Sequence, residues 1–337
     1  MAMKDKNIHS DNELFLNFYG IHLKFSTNDR TLFDNIFRDF SYFRSKKTEK
    51  PDITITGAKK NPDFSKVPEL KATSYNKNSI SYDQGSTRYV EYAGKALTVY
   101  NYRKEKSIVI SEDDNYLHEI TYLLIQSRIG EKLDQKGVHR VHALGIVIKG
   151  KACIVLLPSG GGKTSLALEL LKDKNVFLLS EDAPFITSKG LILPFPLRMG
   201  ISDASKIPKK FVRKFKRMEY GEKKIIDIEF FENKIAKPIK PSCIIVGTRT
   251  FFKNPKIKRI SHAKAFKYFI RDAVIGFGLP QVVEYFLRKG FSSNFGKINI
   301  AISRAFASAK IIRRSKCYEL MLSRDIKRNA EMIKNIF

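Results

Sequence analysis

Residues 156–164 read L-L-P-S-G-G-G-K-T, and this stretch decides the fold that we expect. An apolar run, Ala152 to Leu157, precedes it, and a helical pattern, Ser165 to Leu171, follows it. A strand, a glycine-rich turn, Lys-Thr and a helix in that order are typical of a phosphate-binding loop. Glycines let backbone N–H groups close around an anion, and the helix directs the positive end of its dipole at the same anion.

The loop supplies the candidate residues for binding a nucleotide. They are Ser159, Gly160, Gly161, Gly162, Lys163, Thr164 and Ser165. We expect Lys163 to reach the terminal phosphates and the Thr164 hydroxyl to bind Mg²⁺. The full pattern has a glycine where this chain has Leu157, so the loop is a variant. A glycine-rich hairpin that ends in Lys-Thr is the alternative, but the flanking strand and helix favour the phosphate loop.

Two carboxylates, Glu181 and Asp182, follow the apolar run Val176 to Leu179. The chain between them and Lys163 is long enough for a helix and a strand to return beside the loop. Carboxylates in that position can hold Mg²⁺ and accept a proton from an attacking hydroxyl. The alternative is a solvated acidic turn.

Three further residues are candidates with weaker signals. His142 lies upstream in a predicted hairpin, where a packed or capping histidine is the alternative interpretation. His139 is a weaker candidate than His142. Arg198, between Pro196 and Gly200, is a candidate phosphate contact.

The composition is that of a globular protein with a strong positive charge. The 337 residues include 62 Lys and Arg against 34 Asp and Glu, a net charge of +28. This charge favours acidic partners, although no motif for DNA or RNA binding accompanies it. No apolar run approaches a membrane span and no signal-peptide core is visible, so we expect a cytoplasmic protein. Cys153, Cys243 and Cys317 have no metal or disulfide spacing, and we expect them to be buried and reduced.

The patterning predicts a β-rich N-terminal part, an α/β centre and a helical C-terminal part. We place the boundaries at 1–135, 136–260 and 261–337, with the last region packing on the core. Predicted strands cover 14–25, broken at Gly20, and 79–110 as an antiparallel meander. Helices are predicted at 116–134, 209–217 (a basic helix), 263–275, 280–288, 294–309 and 326–336. A hairpin is predicted at 141–157, and later strands are predicted at 224–231, 242–246 and 317–322.

The span from His142 to Asp182 resembles the catalytic core of the HPr kinase/phosphorylase family, which is related to phosphoenolpyruvate carboxykinase. That family has a histidine before a G-x-S-G-x-G-K-S/T loop, then a helix and a strand that ends in an acidic pair. Residues 196–200, P-L-R-M-G, more loosely resemble its Arg-containing segment. The resemblance implies an α/β fold with a phosphate-loop core. It also implies that Thr164 and Asp182 hold Mg²⁺ and that Glu181 or Asp182 deprotonates an acceptor serine.

The chain departs from the family pattern at Leu157, at Ser165 in place of a frequent glutamate, and at Glu181 in place of an aspartate. These departures argue against the reverse phosphorolysis reaction and against HPr as the substrate. The remainder of the chain is more similar to diverged serine kinases that modify peptides or small molecules.

The sequence therefore predicts an ATP- and Mg²⁺-dependent kinase whose acceptor is a hydroxyl group on a peptide, small protein or small molecule. The catalytic candidates are His142, Lys163, Glu181, Asp182 and Arg198. The basic surface favours an acidic acceptor, and a homo-oligomer is compatible with the sequence. Two alternatives stay open: a nucleotide-binding regulator without phosphotransfer, and a nucleic-acid-associated ATPase.

Overall fold

A computed structural model of the chain describes residues 12–158, 160–201, 207–217, 221–270 and 294–337. These residues form a mixed α/β protein that divides into two compact units. The first unit contains the described residues up to 129 together with 207–227, and the second contains the remaining described residues.

The strands and helices are numbered along the chain. The strands are β1 (Asn12–Phe18), β2 (Ile21–Thr27), β3 (Ile53–Lys59), β4 (Ala72–Asn76), β5 (Ser79–Gln84), β6 (Thr87–Tyr92), β7 (Ala96–Asn101), β8 (Lys106–Ser111), β9 (Val138–Arg140), β10 (Leu144–Ile148), β11 (Lys151–Leu156), β12 (Val176–Ser180), β13 (Phe185–Thr187), β14 (Ile192–Leu193), β15 (Met199–Ile201), β16 (Val212–Arg217), β17 (Gly221–Ile226), β18 (Pro241–Arg249), β19 (Lys256–Arg259) and β20 (Lys316–Leu322). The helices are α1 (Arg30–Asp39), α2 (Asp114–Gln135), α3 (Lys163–Leu170), α4 (His262–Phe269), α5 (Asn294–Arg313) and α6 (Ile326–Lys334).

The first unit is built on one eight-stranded sheet, in the order β1-β2-β3-β8-β7-β6-β5-β4. The β1–β2 hairpin turns at Gly20, and β5 to β8 form an antiparallel meander, which confirms both predictions. Strand β4 was not predicted, because its residues are mostly polar and exposed. The sheet is not purely antiparallel, since β2–β3 and β3–β8 pair in parallel.

The predicted helix at 209–217 is wrong. Only Lys209–Phe211 forms a short 3-10 turn, and β16 follows, paired in antiparallel fashion with β17. Arg213 of β16 forms ion pairs with Asp39 and Asp227, whose side chains are fully buried. Those buried carboxylates need a cationic partner, and the strand provides one, so tertiary pairing overrides the helical spacing of Phe211 and Phe215.

The second unit is built on a six-stranded sheet, in the order β12-β10-β11-β18-β20-β19. Strands β11, β18 and β20 are parallel neighbours at its centre, and the predicted β10–β11 hairpin is confirmed. Ile154 of β11 belongs to a buried cluster with residues of α4 and α5. Cys153 and Val155, which alternate with it, are also fully buried, so the sheet is covered on both faces.

The three cysteines are free and buried, as expected, and they lie on neighbouring strands. Cys153 of β11 is the register partner of Cys243 of β18, and Cys317 of β20 pairs with the next residue, Ile244. Burial raises the pKa of the Cys153 thiol well above its usual value, and it raises that of Cys317 to about 11. These thiols are packing residues of the sheet.

The remaining predictions for the second unit are confirmed in part. Strand β20 and helix α6 lie where they were expected, and α5 continues to Arg313. The strand predicted at 224–231 ends at Ile226, and a 3-10 segment, Ile228–Lys234, replaces its second half. Helix α4 covers the first part of the helix predicted at 263–275; residues 271–275 and the helix predicted at 280–288 lie outside the described residues. No helix in the described part of the chain is long and apolar enough to cross a membrane.

Candidate active site

The glycine-rich loop, residues 157–162, connects the end of β11 to the first residue of α3. Gly160 and Gly162 have φ of 69° and 90°, the left-handed region that favours glycine. A Cβ on Gly161 would lie 2.7 Å from the Pro158 carbonyl oxygen, which accepts a hydrogen bond from the Gly161 N–H at 2.8 Å. Ser159 lies outside the described residues, so its predicted binding role stays a prediction.

Leu157, the departure from the motif, is a core residue. Its side chain is 1% exposed, and a Cβ on Gly247 of β18 would lie 2.2 Å from Leu157 Cδ2. Because Gly247 has no side chain, it leaves the space that the Leu157 side chain fills. The loop gains an apolar anchor at the position where the full motif has a flexible glycine.

Lys163, the first residue of α3, is buried at the end of the loop. Its Nζ lies 2.8 Å from His142 Nε2, 3.3 Å from the Leu157 carbonyl oxygen and 3.5 Å from Asp182 Oδ1. His142 precedes β10, Asp182 follows β12, and β10 pairs with both β11 and β12. The sheet order thereby brings together His142, Lys163 and Asp182, which are spread over 40 positions of the sequence.

His142 Nε2 also lies 3.1 Å from Asp182 Oδ1. A neutral Nε2 without a proton accepts from the Lys163 ammonium, whereas a protonated Nε2 donates to Asp182. One nitrogen cannot do both at once, so which contact is a hydrogen bond depends on whether Nε2 carries the proton. Lys163, His142 and Asp182 form one group of contacting polar side chains at the end of the loop.

The Asp182 carboxyl is held in its charged form. Desolvation would raise its pKa, but the hydrogen bond with His142 and the charge of Lys163 outweigh that effect and hold the pKa below its usual range. The side chain is 50% exposed, so the carboxylate stays open to a ligand. A half-exposed carboxylate of low pKa is suited to binding a cation rather than to taking up a proton.

Thr164, the second residue of α3, donates a hydrogen bond from Oγ1 to Glu181 Oε1 at 2.5 Å. Both members of the predicted acidic pair thus contact the start of α3: Glu181 through Thr164, and Asp182 through Lys163. In the described residues no three His, Cys, Asp or Glu side chains converge on a point that could hold a metal ion. Mg²⁺ is commonly held by one or two carboxylates together with substrate phosphates, and the Thr164, Glu181 and Asp182 oxygens are the hard ligands that it prefers.

Arg249 contacts the glycine-rich loop and is a candidate site residue that the sequence did not reveal. It ends β18, and its Nε donates to the Gly161 carbonyl oxygen at 3.3 Å. A guanidinium nitrogen lies 3.2 Å from where a Gly162 Cβ would be. A single arginine after an apolar strand carries no motif, and only the order of the strands, with β18 beside β11, could have located it.

Arg198 and Ser165 have looser connections to the loop. Arg198 immediately precedes β15, a strand that contacts α3, and its contact with phosphate stays a prediction. Ser165 is an exposed residue in the first turn of α3. The weaker candidate His139 has a different environment, because its ring hydrogen-bonds to Asp134 at 2.7 Å and to Ser303 at 2.9 Å.

No family model matches the sequence, and no curated protein matches it. Among solved structures, the chain is similar to one described as the Hpr(Ser) kinase/phosphatase from Coxiella burnetii, at 15% sequence identity and a TM-score of 0.21. The similarity covers 36% of this chain and 76% of that chain. This neighbour is a weak one, and the functional assignment rests on the residues of the site instead.

Proposed function

We propose that the chain is an ATP- and Mg²⁺-dependent kinase that phosphorylates a hydroxyl group, with a serine of a peptide or small protein, or a small molecule, as the acceptor. One observation carries the proposal: at the end of a glycine-rich loop a lysine, a histidine and a carboxylate contact one another, and next to the lysine a threonine hydroxyl contacts a second carboxylate. This combination meets the needs of phosphoryl transfer, which are anion binding, cation binding and a proton acceptor.

Nucleotide binding would use the glycine-rich loop and Lys163. The Asp182 carboxylate balances the charge of the Lys163 ammonium, and His142 Nε2 lies within hydrogen-bond distance of it. A triphosphate offers Lys163 several anionic oxygens in exchange for one half-exposed carboxylate, so the ammonium would turn towards the β- and γ-phosphates. Backbone N–H groups of residues 160–163 at the start of α3 would complete the cradle.

Mg²⁺ would be held by Thr164 Oγ1 and by Asp182, next to the phosphate oxygens. The bound ion would neutralise charge on the phosphoryl group as it transfers. Asp182 suits this role because its pKa is depressed and its side chain is half exposed. The Thr164 hydroxyl would bind the cation through an oxygen lone pair, so its O–H could continue to donate to Glu181.

Glu181 would act as the general base. The low pKa of Asp182 makes that carboxylate the weaker proton acceptor, which leaves Glu181 for the acceptor hydroxyl. The hydroxyl proton passes to Glu181, the hydroxyl oxygen forms a bond to the γ-phosphorus, and the bond from that phosphorus to the β–γ bridging oxygen breaks to give ADP. Arg249 and Arg198 would stabilise the charge spread over the transferring group.

The test is ADP formation from Mg²⁺-ATP by the full chain, alone and with a mixture of dephosphorylated serine peptides, together with mass spectrometry of the products. We expect acceptor-dependent ADP formation that the Lys163→Ala variant loses. The matched control is Lys172→Ala, because Lys172 is an exposed lysine just after α3 whose ion-pair partner is Glu169.

Binding of a fluorescent ATP analogue separates the outcomes. Tight binding that Lys163→Ala abolishes, without any transfer to peptides, small alcohols or water, would contradict the kinase proposal and favour a nucleotide-binding regulator. Glu181→Gln is the second criterion, since a base mutant should bind the analogue normally while phosphoryl transfer falls by roughly 100-fold or more.

A further inference from the structure

A cavity of about 480 Å³ opens in the second unit at the end of the central sheet opposite the glycine-rich loop. The parallel strands β11, β18 and β20 begin there, with Lys151, Pro241 and Lys316 as their first residues. The same β11 ends at the glycine-rich loop, so one strand connects the two places.

The lining of this cavity is strongly basic. Five cations and a histidine contribute to it: Lys151, Arg259, His262, Arg313, Arg314 and Lys316. They come from the starts of β11, α4 and β20, the end of β19, and the end of α5 with the residue after it. No lining residue has an acidic side chain.

Within the described residues, no carboxylate lies at ion-pair distance from four of these cations, Lys151, Arg259, Arg313 and Lys316. Other exposed lysines do have acidic partners, as Lys264 has with Glu319. The two remaining cavity side chains, His262 and Arg314, contact uncharged backbone carbonyl groups. His262 Nε2 lies 3.1 Å from the Ser315 carbonyl oxygen, and an Arg314 guanidinium nitrogen donates to the carbonyl oxygens of Lys189 and Gly190. These cations therefore have no ion-pair partner among the described side chains.

We propose that this cavity is a second anion-binding site, which takes a compact small molecule carrying two or more phosphate or carboxylate groups. A concave surface lined by charges of one sign focuses its field on an anion inside it. Its volume is within the range of small-molecule pockets. The guanidinium groups of Arg259 and Arg313 can each donate two parallel hydrogen bonds to the paired oxygens of a phosphate or carboxylate group.

The shape of the charged region favours a small anion over a nucleic acid. The cations converge on one pocket from separate elements, whereas a groove that follows a nucleic-acid backbone needs a charged stripe. The rim also carries apolar groups from Tyr318, Ile336 and Phe337, which can cover the uncharged part of a small ligand. The site is distinct from the glycine-rich loop and does not depend on the proposed kinase activity.

The test is calorimetric titration of the full chain carrying Lys163→Ala, which removes the loop lysine, with tripolyphosphate as the probe. We expect one binding event per chain. Adding Arg259→Gln and Lys316→Gln should weaken it at least tenfold, because both side chains are exposed and their loss removes two charges from the cavity. The charge-matched control adds Lys46→Gln and Lys47→Gln, exposed residues of the first unit, and should stay within twofold.

Absence of tripolyphosphate binding in the Lys163→Ala background would overturn the proposal, and so would equal weakening in the cavity variant and its control. Tighter, cavity-dependent binding of a single-stranded oligonucleotide than of tripolyphosphate would replace the small-anion assignment with a nucleic-acid site. Thermal unfolding of each variant checks the fold. If the double variant unfolds early, the single variant Arg313→Gln takes its place, with a loss of at least threefold expected.

Discussion

Gly161→Ala is the substitution that tests the glycine-rich loop most directly. The new Cβ would lie 2.7 Å from the Pro158 carbonyl oxygen, a contact that requires the loop backbone to move. Unlike its neighbours, Gly161 does not have a positive φ, so the added methyl group itself is the perturbation. Overpacking of this kind costs about 1–3 kcal/mol of unfolding free energy. A loop shift of roughly 1 Å would lower phosphoryl transfer about 100-fold.

Gly160→Ala is the matched control. Gly160 has a φ of 69°, and a Cβ there would have nothing within 4 Å. Its cost is the backbone strain alone, about 1–2 kcal/mol, and the loop keeps its shape. Urea unfolding and the kcat/KM for ADP formation, measured on both variants, separate the two effects. If Gly161→Ala lost stability as expected but kept kcat/KM within a factor of about three, the loop would not be the phosphate cradle and our reasoning would be refuted.

Three further predictions follow from the site. Leu157→Gly restores the motif glycine but empties a buried position, so we expect a loss of about 2–5 kcal/mol in urea unfolding and no gain in activity; improved turnover at unchanged stability would contradict this. Arg249→Gln should lower kcat/KM by about 10–100-fold with little change in Tm, whereas unchanged kinetics would remove Arg249 from the site. Folding lowers the pKa of Asp182, so its charged carboxylate stabilises the fold at pH values above its unfolded-state pKa of about 3.9. This contribution is lost as the pH falls through the lower pKa of the folded state. The stability difference between the wild type and Asp182→Asn should therefore shrink on acidification below about pH 4, and a pH-independent difference would argue against the contacts of Asp182 with His142 and Lys163.

Local signals in the sequence predicted much of the fold. The β10–β11 hairpin is marked by Lys149 and Gly150, which both have positive φ in its turn. The long helix α2 was predicted to within two residues because its apolar spacing continues over several turns. The contacts between the start of α3 and the acidic pair could be expected too, since strand, loop, helix and strand follow one another directly along the chain.

Features that depend on distant pairing could not be predicted in the same way. Residues 209–217 contain a spacing that fits a helix, but Val212–Arg217 is a strand because it pairs with β17 and because Arg213 lies next to buried carboxylates. Arg249 reaches the loop only because β18 lies beside β11 in the sheet. The packing of Leu157 against Gly247 likewise joins residues that no local pattern connects.

The three buried thiols of the central sheet can be used to measure local opening of the second unit. Cys153, Cys243 and Cys317 lie on adjacent parallel strands and are buried, and burial raises the pKa of the Cys153 and Cys317 thiols, which favours their unreactive protonated form. A thiol reagent can reach Cys153, which is fully buried, only when these strands separate. The rate of labelling in a pulse experiment would therefore measure how often the sheet opens, without any engineered label. A ligand bound at either end of β11 would slow the labelling, because binding to the closed sheet reduces the fraction of molecules in which the sheet is open.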